Sequence, residues 1–316
     1  MNTFTLTTPV ALLVFNRPET TARVFAAIRE AKPPQLLVVA DGPRSGRPDD
    51  VQKCAEVRRI VEQVDWPCTV LQDYADVNFG CKMRVSSGLD WVFSKVEEAI
   101  ILEDDCLPDP TFFRFCQEML ALYRHDERIM MISGTNLLGE WKSTVQSYHF
   151  SNNGGIWGWA SWHRAWQYYD VNMSLWWEPA SRLKVSDVLG GGSRFRRRAI
   201  EFDRAAAGKV DTWDYQWSFV QLLRSGLTVV SAVNLVSNIG FNVDATHTVN
   251  PRTVYAGLPT FPCRFPLNIN LLAAVDHDYD AAVLKLAQSE RPLLLKIADF
   301  FRQIRGYLPL RKYRLL

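Results

Sequence analysis

Over its first 135 residues the chain switches between unbroken apolar runs and apolar positions three or four apart. Val10, Ala11, Leu12, Leu13, Val14 and Phe15 form one such run, as expected of a strand covered on both faces. The stretch 18–31 then reads as a helix, with Pro18 suited to a first turn and Val24, Ile28 and Ala31 at helical spacing. A second strand is expected over 36–40, closed by Asp41-Gly42-Pro43, and a second helix is marked by Val51, Cys54, Val57, Val61 and Val64. A strand over 68–71, a helix marked by Val85, Leu89, Val92 and Val96, a strand over 99–102, a helix over 111–124 and a strand over 129–132 continue the series. This alternation predicts an α/β fold: a Rossmann-like, mainly parallel sheet flanked by helices. Ligands of such sheets lie beyond the carboxyl ends of the strands. The polar residues expected there are Asn16-Arg17, Asp41-Gly42, Gln72-Asp73 and Glu103-Asp104-Asp105.

The rhythm is lost in the second half. Residues 148–177 are rich in Gly and Trp, 190–198 are basic with several glycines, and 211–217 set Asp beside Trp ahead of a helix reaching about 224. Short strands are expected over 228–230 and 233–239, and 250–266, with its prolines, reads as an extended wrap. The expected organisation is one domain over 1–280, regular over 1–135 and mixed over 136–280, followed by a helical tail over 281–316. In that tail Leu294, Ile297, Phe301 and Ile304 form an apolar stripe flanked by Lys296, Arg302 and Arg305. Two readings stand for this basic amphipathic end: a helix packed on its own domain, or peripheral contact with an anionic membrane surface.

Composition narrows the classes. With 47% apolar and 22% charged residues among 316, the chain is of ordinary globular type, and a net charge of +2 gives no overall field for nucleic acid. Six cysteines form no C-x-x-C pair, which argues against a zinc site; reduced thiols and a cytoplasmic setting are expected. Residues 1–8 carry neither a basic region nor an apolar stretch of signal length. No run approaches the roughly 20 apolar residues needed to span a bilayer.

The sharpest chemical signal is Glu103-Asp104-Asp105, three carboxylates delivered by an apolar strand. Like charges repel and resist desolvation, and Mg²⁺ or Mn²⁺ on their oxygens would relieve both costs. If the strand continues, Glu103 and Asp105 share one face and Asp104 takes the other. A solvated acidic turn before Pro108 is the plainer alternative. Asp41 could accept a hydrogen bond from a nucleobase or ribose, or simply belong to an Asp-Gly-Pro turn. Arg17 could meet a diphosphate at a helix N-terminus, or lie on the surface. Asp211 and Asp214 sit among large aromatics, where a carboxylate can act as a general base; Asp211 also fits a helix cap. The tryptophans at 157–177 read mainly as core, with sugar stacking as the alternative. His247, in Thr-His-Thr, is a candidate metal or phosphate ligand. No Walker-type or G-x-G-x-x-G loop is present.

Val14-Phe-Asn-Arg-Pro-Glu-Thr20, Asp41-Gly42, and Glu103-Asp-Asp105 followed by Pro108-Asp-Pro-Thr-Phe-Phe113 together resemble GT-A fold glycosyltransferases. The resemblance is to the inverting N-acetylglucosaminyltransferases that initiate hybrid and complex N-glycans, and to bacterial nucleotide-diphospho-sugar transferases like them. It runs from about residue 9 to about 248, with Gly155 to Trp159 and Trp213-Asp214 in further support. The resemblance implies that 1–135 binds the nucleotide sugar and 136–280 faces the acceptor. It implies Arg17 on the donor phosphates, Asp41 on uracil, Glu103 and Asp104 on the donor sugar or ribose, Asp105 on Mn²⁺ or Mg²⁺, His247 near the diphosphate and Asp214 as the base.

The implied function is metal-dependent, inverting transfer from a UDP-sugar, with UDP-GlcNAc as the family-weighted donor, to a hydroxyl of a glycan or lipid-linked acceptor in bacterial surface polysaccharide synthesis. This chain departs from the family's Trp-Asp-Asp-Trp by reading Trp213-Asp-Tyr-Gln-Trp217, which keeps Asp211 as a rival base. Two alternatives are a sugar-phosphate nucleotidyltransferase, which lacks its Arg- or Lys-bearing Gly-rich loop here, and a non-catalytic glycan-binding protein built on the tryptophans.

Overall fold

The first strand, β1 (Val10–Val14), sends Val10, Leu12 and Val14 into one apolar layer and Ala11 and Leu13 into the other. Alternation along a strand buried on both faces therefore accounts for the unbroken apolar run. The structure is a computed structural model and describes residues 4–241, 255–270 and 272–289. His247 and residues 290–316, which hold the apolar stripe and basic end of the expected tail, lie outside the described residues.

After β1 come α1 (Pro18–Ala31), β2 (Gln35–Ala40), α2 (Pro48–Val61), β3 (Thr69–Tyr74), α3 (Gly80–Lys95), β4 (Glu98–Glu103), β5 (Cys106–Pro108), α4 (Thr111–Tyr123) and β6 (Ile129–Ser133). The second half adds β7 (Tyr148–Ser151), β8 (Trp159–Trp162), the single turn α5 (His163–Trp166), a 3₁₀ turn (Ser174–Trp177), α6 (Pro179–Val188), α7 (Gly192–Ala206), α8 (Asp214–Leu223), β9 (Leu227–Ser231), β10 (Val236–Asn238) and α9 (His277–Ser289).

Among the described residues the main sheet runs β3-β2-β1-β4-β8-β6-β9-β7. The β3-β2-β1-β4 half is parallel throughout, and β6 and β9 are parallel; β8 lies antiparallel between β4 and β6, and β7 is an antiparallel edge. Apolar residues of α1, α2 and α4 cover one face, and those of α3, α6, α7 and α8 the other. The expected α/β architecture, a mostly parallel sheet between helical layers, is the one observed. None of the described helices is long and apolar enough to cross a membrane.

Three expectations are corrected. The acid-bearing strand does not continue: β4 stops at Glu103, and Asp104 and Asp105 form a turn into β5. Val51 faces solvent at 58% exposure, and its neighbour Asp50 is buried instead, bound by Arg44 at 2.6 Å and Asn16 at 2.8 Å. The strand expected over 233–239 shrinks to β10, paired with β5. The helix α9 runs through residue 280 and buries Tyr279, Asp280 and Val283. The tryptophans behave mainly as core: Trp159, Trp162, Trp166, Trp176, Trp213 and Trp217 are all buried.

Candidate active site

β1 pairs with β4, Leu13 opposite Glu103, while the chain leaves β1 for β2 on its other side. Strand order reverses at this point, and a parallel sheet opens a crevice at the carboxyl ends where that happens. A cavity of about 490 Å³ occupies the crevice. Arg17, Asp41, Glu103, Asp104, Asp105, Asp211 and Asp214 all line it, so the sequence candidates within the described residues converge on one space.

Arg17 sits immediately before α1, where Pro18 at the first helical position aims the preceding residue across the crevice. Its Nη1 donates to Asp105 Oδ2 at 2.6 Å and lies 3.5 Å from Asp104 Oδ1. Burial opposes charge on Arg17, but Asp104 and Asp105 hold it firmly protonated. Asp104 Oδ2 accepts the Phe15 N–H at 3.1 Å, which ties the end of β4 to the end of β1. Burial pushes the carboxyls of Asp104 and Glu103 well above the usual range. For Glu103 the neighbouring Asp105, Asp104 and Asp214 add to that effect, and its Oε1 is buried with no hydrogen-bond partner among the described residues.

Asp105 is wedged against β10. Its backbone carbonyl accepts the Ile239 N–H at 2.8 Å, and its Oδ1 lies 3.4 Å from Asn238 Nδ2. A Cβ on Gly240 would collide with the Asp105 carboxylate, so glycine is needed for this close approach.

Two other candidates prove to be engaged in holding the walls. Asp41 Oδ1 accepts the N–H groups of Gly42 at 2.8 Å and Phe79 at 2.9 Å, and Oδ2 accepts Asn78 Nδ2 at 2.8 Å and the Gly80 N–H at 3.2 Å. A carboxylate has about four lone-pair directions, so Asp41 has no acceptor left for a uracil N–H in this arrangement. Asp211 caps α3 from 130 residues away, its Oδ2 accepting the Cys81 N–H at 3.1 Å and its Oδ1 the Lys82 N–H at 2.9 Å. The N-terminus of α3 offers unpaired amides and a positive dipole end, which suits a carboxylate.

Asp214 differs from both. It opens α8, and among the described residues its side chain has one hydrogen bond, from the Thr212 hydroxyl to Oδ1. Oδ2 is left for another donor. Its position is set by aromatic packing: Trp213 stacks on Trp159 at 5.5 Å, Trp217 meets Trp166 at a tilt with centroids 5.2 Å apart, and Tyr169 OH donates to the Trp213 carbonyl at 3.2 Å.

Further lining residues, Trp157 apart, carried no sequence signal. Arg44 comes from the Gly/Pro loop after β2 and is locked by Asp50, which its guanidinium holds far below the usual carboxylate range. Arg84 comes from α3 and is held by Asp73 Oδ2 at 2.9 Å and the Ala40 carbonyl at 3.2 Å. Trp157 and Asn238 complete the wall. Asn238 reaches the wall beside Asp105 across 133 residues and Arg84 is tied to the Ala40 carbonyl across 44, contacts that residue type and spacing cannot reveal.

Asp105 suits Mg²⁺ or Mn²⁺ as a single oxygen ligand, because such ions are commonly held by one or two carboxylates with substrate phosphates completing the shell. Among the described residues no group of three or more His, Cys, Asp or Glu forms a ready-made cage. Arg17 holds the same Oδ2, so an ion there would take the guanidinium's place on that oxygen.

No protein-family model matches the chain, and neither does any curated protein. Solved structures with a similar fold include a UDP-glucose pyrophosphorylase complexed with UDP-glucose, at 8% identity over 73% of this chain and 93% of that one, with a TM-score of 0.34. Another is the inositol-1-phosphate CTP transferase from T. maritima, at 9% identity over 72% of this chain and 85% of that one, with a TM-score of 0.36. A UDP-glucose pyrophosphorylase in its apo form gives 8% identity over 72% and 92%, with a TM-score of 0.33. The likeness itself is one of fold and does not extend to chemistry.

Proposed function

We propose that the chain is an inverting glycosyltransferase that moves a sugar from a nucleotide-diphosphate donor, with UDP-GlcNAc as the first donor to try, to a hydroxyl of a glycan or lipid-linked acceptor. One observation carries this reading. Arg17, Asp105 and Asp214 line a single cavity at the carboxyl ends of β1 and β4, and Asp214 Oδ2 has no hydrogen-bond partner among the described residues. Arg17 lies where negative charge grows on the leaving diphosphate. Asp214 Oδ2 takes the proton of the acceptor hydroxyl as that oxygen attacks the anomeric carbon and the bond to the diphosphate breaks. One displacement inverts the centre. Asp105 would hold Mn²⁺ or Mg²⁺, which when bound neutralises diphosphate charge. Glu103, whose carboxyl is pushed up to about 8 by burial and the neighbouring acids and whose Oε1 has no hydrogen-bond partner among the described residues, is suited to a donor hydroxyl. Asp211 and Asp41 shape the walls.

A second reading, a sugar-phosphate nucleotidyltransferase, gains one specific support. Arg44 and Arg84 reach the cavity from two further segments and add positive charge to that of Arg17 on the loop after β1. The test separates the two. Purified protein is given UDP-GlcNAc or other UDP-sugars with candidate acceptors, with and without Mn²⁺, and separately UTP with a sugar 1-phosphate. UDP release that needs the metal and is lost in Asp214→Asn is the expected result. Pyrophosphate release from UTP, with UDP-sugars inert, would replace the first reading by the second.

A further inference from the structure

Beside the cavity, α7 and α9 close a second cleft of about 100 Å³, whose walls include Arg194, Arg197 and Arg198 of α7, Asn153 from the loop after β7, and Leu284 of α9. The space is ample for an oxyanion, since one water needs only about 10–15 Å³. Glu201 pairs with Arg197 at 3.5 Å and with Arg198 at 3.0 Å, and Arg198 also donates to Asn153 Oδ1 at 3.0 Å. Asp280, the other carboxylate here, accepts from the Ser151 hydroxyl and from the Asn152 N–H at 3.4 Å. The pairing is incomplete. Arg197 Nη1 is buried with no hydrogen-bond partner, and Arg194, only partly exposed, has no ion pair among the described residues. A buried guanidinium N–H without an acceptor is unfavourable, and a bound anion supplies what is missing.

The cleft adjoins the proposed acceptor side of the cavity. Asn153 precedes Ile156, a cavity-lining residue, by three positions, so their Cα atoms are at most about 11 Å apart. Tyr215, next to Asp214, feels the charges of Glu201 and Arg198.

We infer that this cleft binds a phosphate or carboxylate group carried by the acceptor, close to the hydroxyl that receives the sugar. The inference rests on the glycosyltransferase reading for the word acceptor; the oxyanion site stands on its own residues. The test uses the full chain saturated with UDP and Mn²⁺, so that the nucleotide cavity is filled, and titrates inorganic phosphate and glucuronate by calorimetry. Binding should weaken at least tenfold in Arg194→Gln and further in Arg194→Gln/Arg197→Gln, with UDP affinity and urea midpoint unchanged. Arg196→Gln, exposed on the same helix and absent from the cleft wall, should bind as the parent does. Binding of phosphate alone assigns a phosphorylated acceptor, of glucuronate alone an acidic sugar, and of both a general oxyanion site. Binding of neither, or binding undiminished in the double variant, overturns the inference. Failure to bind UDP would count against the nucleotide-sugar reading, while the parent-against-variant titrations would still judge the cleft.

Discussion

Arg17 Nη1 and Asp105 Oδ2 meet at 2.6 Å across 88 residues of sequence, joining the loop after β1 to the turn after β4. Both side chains are mostly buried, at 16% and 13% exposure, so each depends on the other for compensation. Removing one partner of such a pair costs about 3–5 kcal/mol when burial is complete, and somewhat less here. Arg17→Met should therefore lower the urea-derived stability by about 2–3 kcal/mol, because it leaves three carboxylates without their cation. Asp105→Asn should cost less, since it also removes repulsion from Glu103 and Asp104. Equal losses in the two variants would show that the pair does not govern the cluster.

The two rival acids should separate cleanly. Asp211 holds the α3 N-terminus, so Asp211→Ala should destabilise the fold by about 1–2 kcal/mol, as lost helix caps do. Asp214 makes a single hydrogen bond among the described residues and lines the cavity, so Asp214→Asn should leave the urea midpoint almost unmoved. Its effect should fall on turnover, by about 10²–10⁴-fold, the usual range for a positioned base. Turnover within a few-fold of the parent would remove Asp214 from the reaction.

Gly240 gives a test that replaces no charged side chain. The methyl of Gly240→Ala would occupy the space of the Asp105 carboxylate. The expected result is a weakening of Mn²⁺-dependent UDP binding by roughly tenfold or more, equivalent to the 1.4 kcal/mol scale of a displaced ligand, with secondary structure intact by circular dichroism. Unchanged UDP affinity would mean that Asp105 can shift without consequence.

Acid sensitivity should arise away from the cavity. His149 is 1% exposed, its ring centroid 4.1 Å from that of Tyr279, and neither ring nitrogen has a hydrogen-bond partner among the described residues. Burial pushes its pKa down from 6.5 to about 4. The unfolded chain therefore binds a proton at pH values where the folded chain resists it. Stability falls as pH drops from 6.5 towards 4, by up to about 3 kcal/mol below that window. His149→Phe should flatten this part of the profile. Urea midpoints at pH 7 and pH 4.5 for parent and variant measure it, and parallel losses in both would exclude His149 as the source.

The parts of the fold that could be read in advance share a property. β1, β2 and β4 are apolar runs buried on both faces, and α1 and α4 carry one buried stripe, so each is specified by residues within a few positions of one another. β8 was not legible. Trp159–Trp162 is a four-residue strand whose residues are all buried, and only its insertion between β4 and β6 makes it a strand. α7 was hidden by three glycines and a run of arginines, yet it buries Ala199, Phe202 and Ala205 against its neighbours.

The same division runs through the site. Sequence alone determined that acids and Arg17 stand at the ends of apolar strands, because strand length and the residue after it are local facts. Only the tertiary structure decided which carboxylates remain available. Asp41 and Asp211 are consumed by amides at the start of α3, whereas Asp214 Oδ2 has no hydrogen-bond partner among the described residues. Hydrogen-bond saturation depends on which backbone groups the packed helices present, and those groups belong to segments far along the chain.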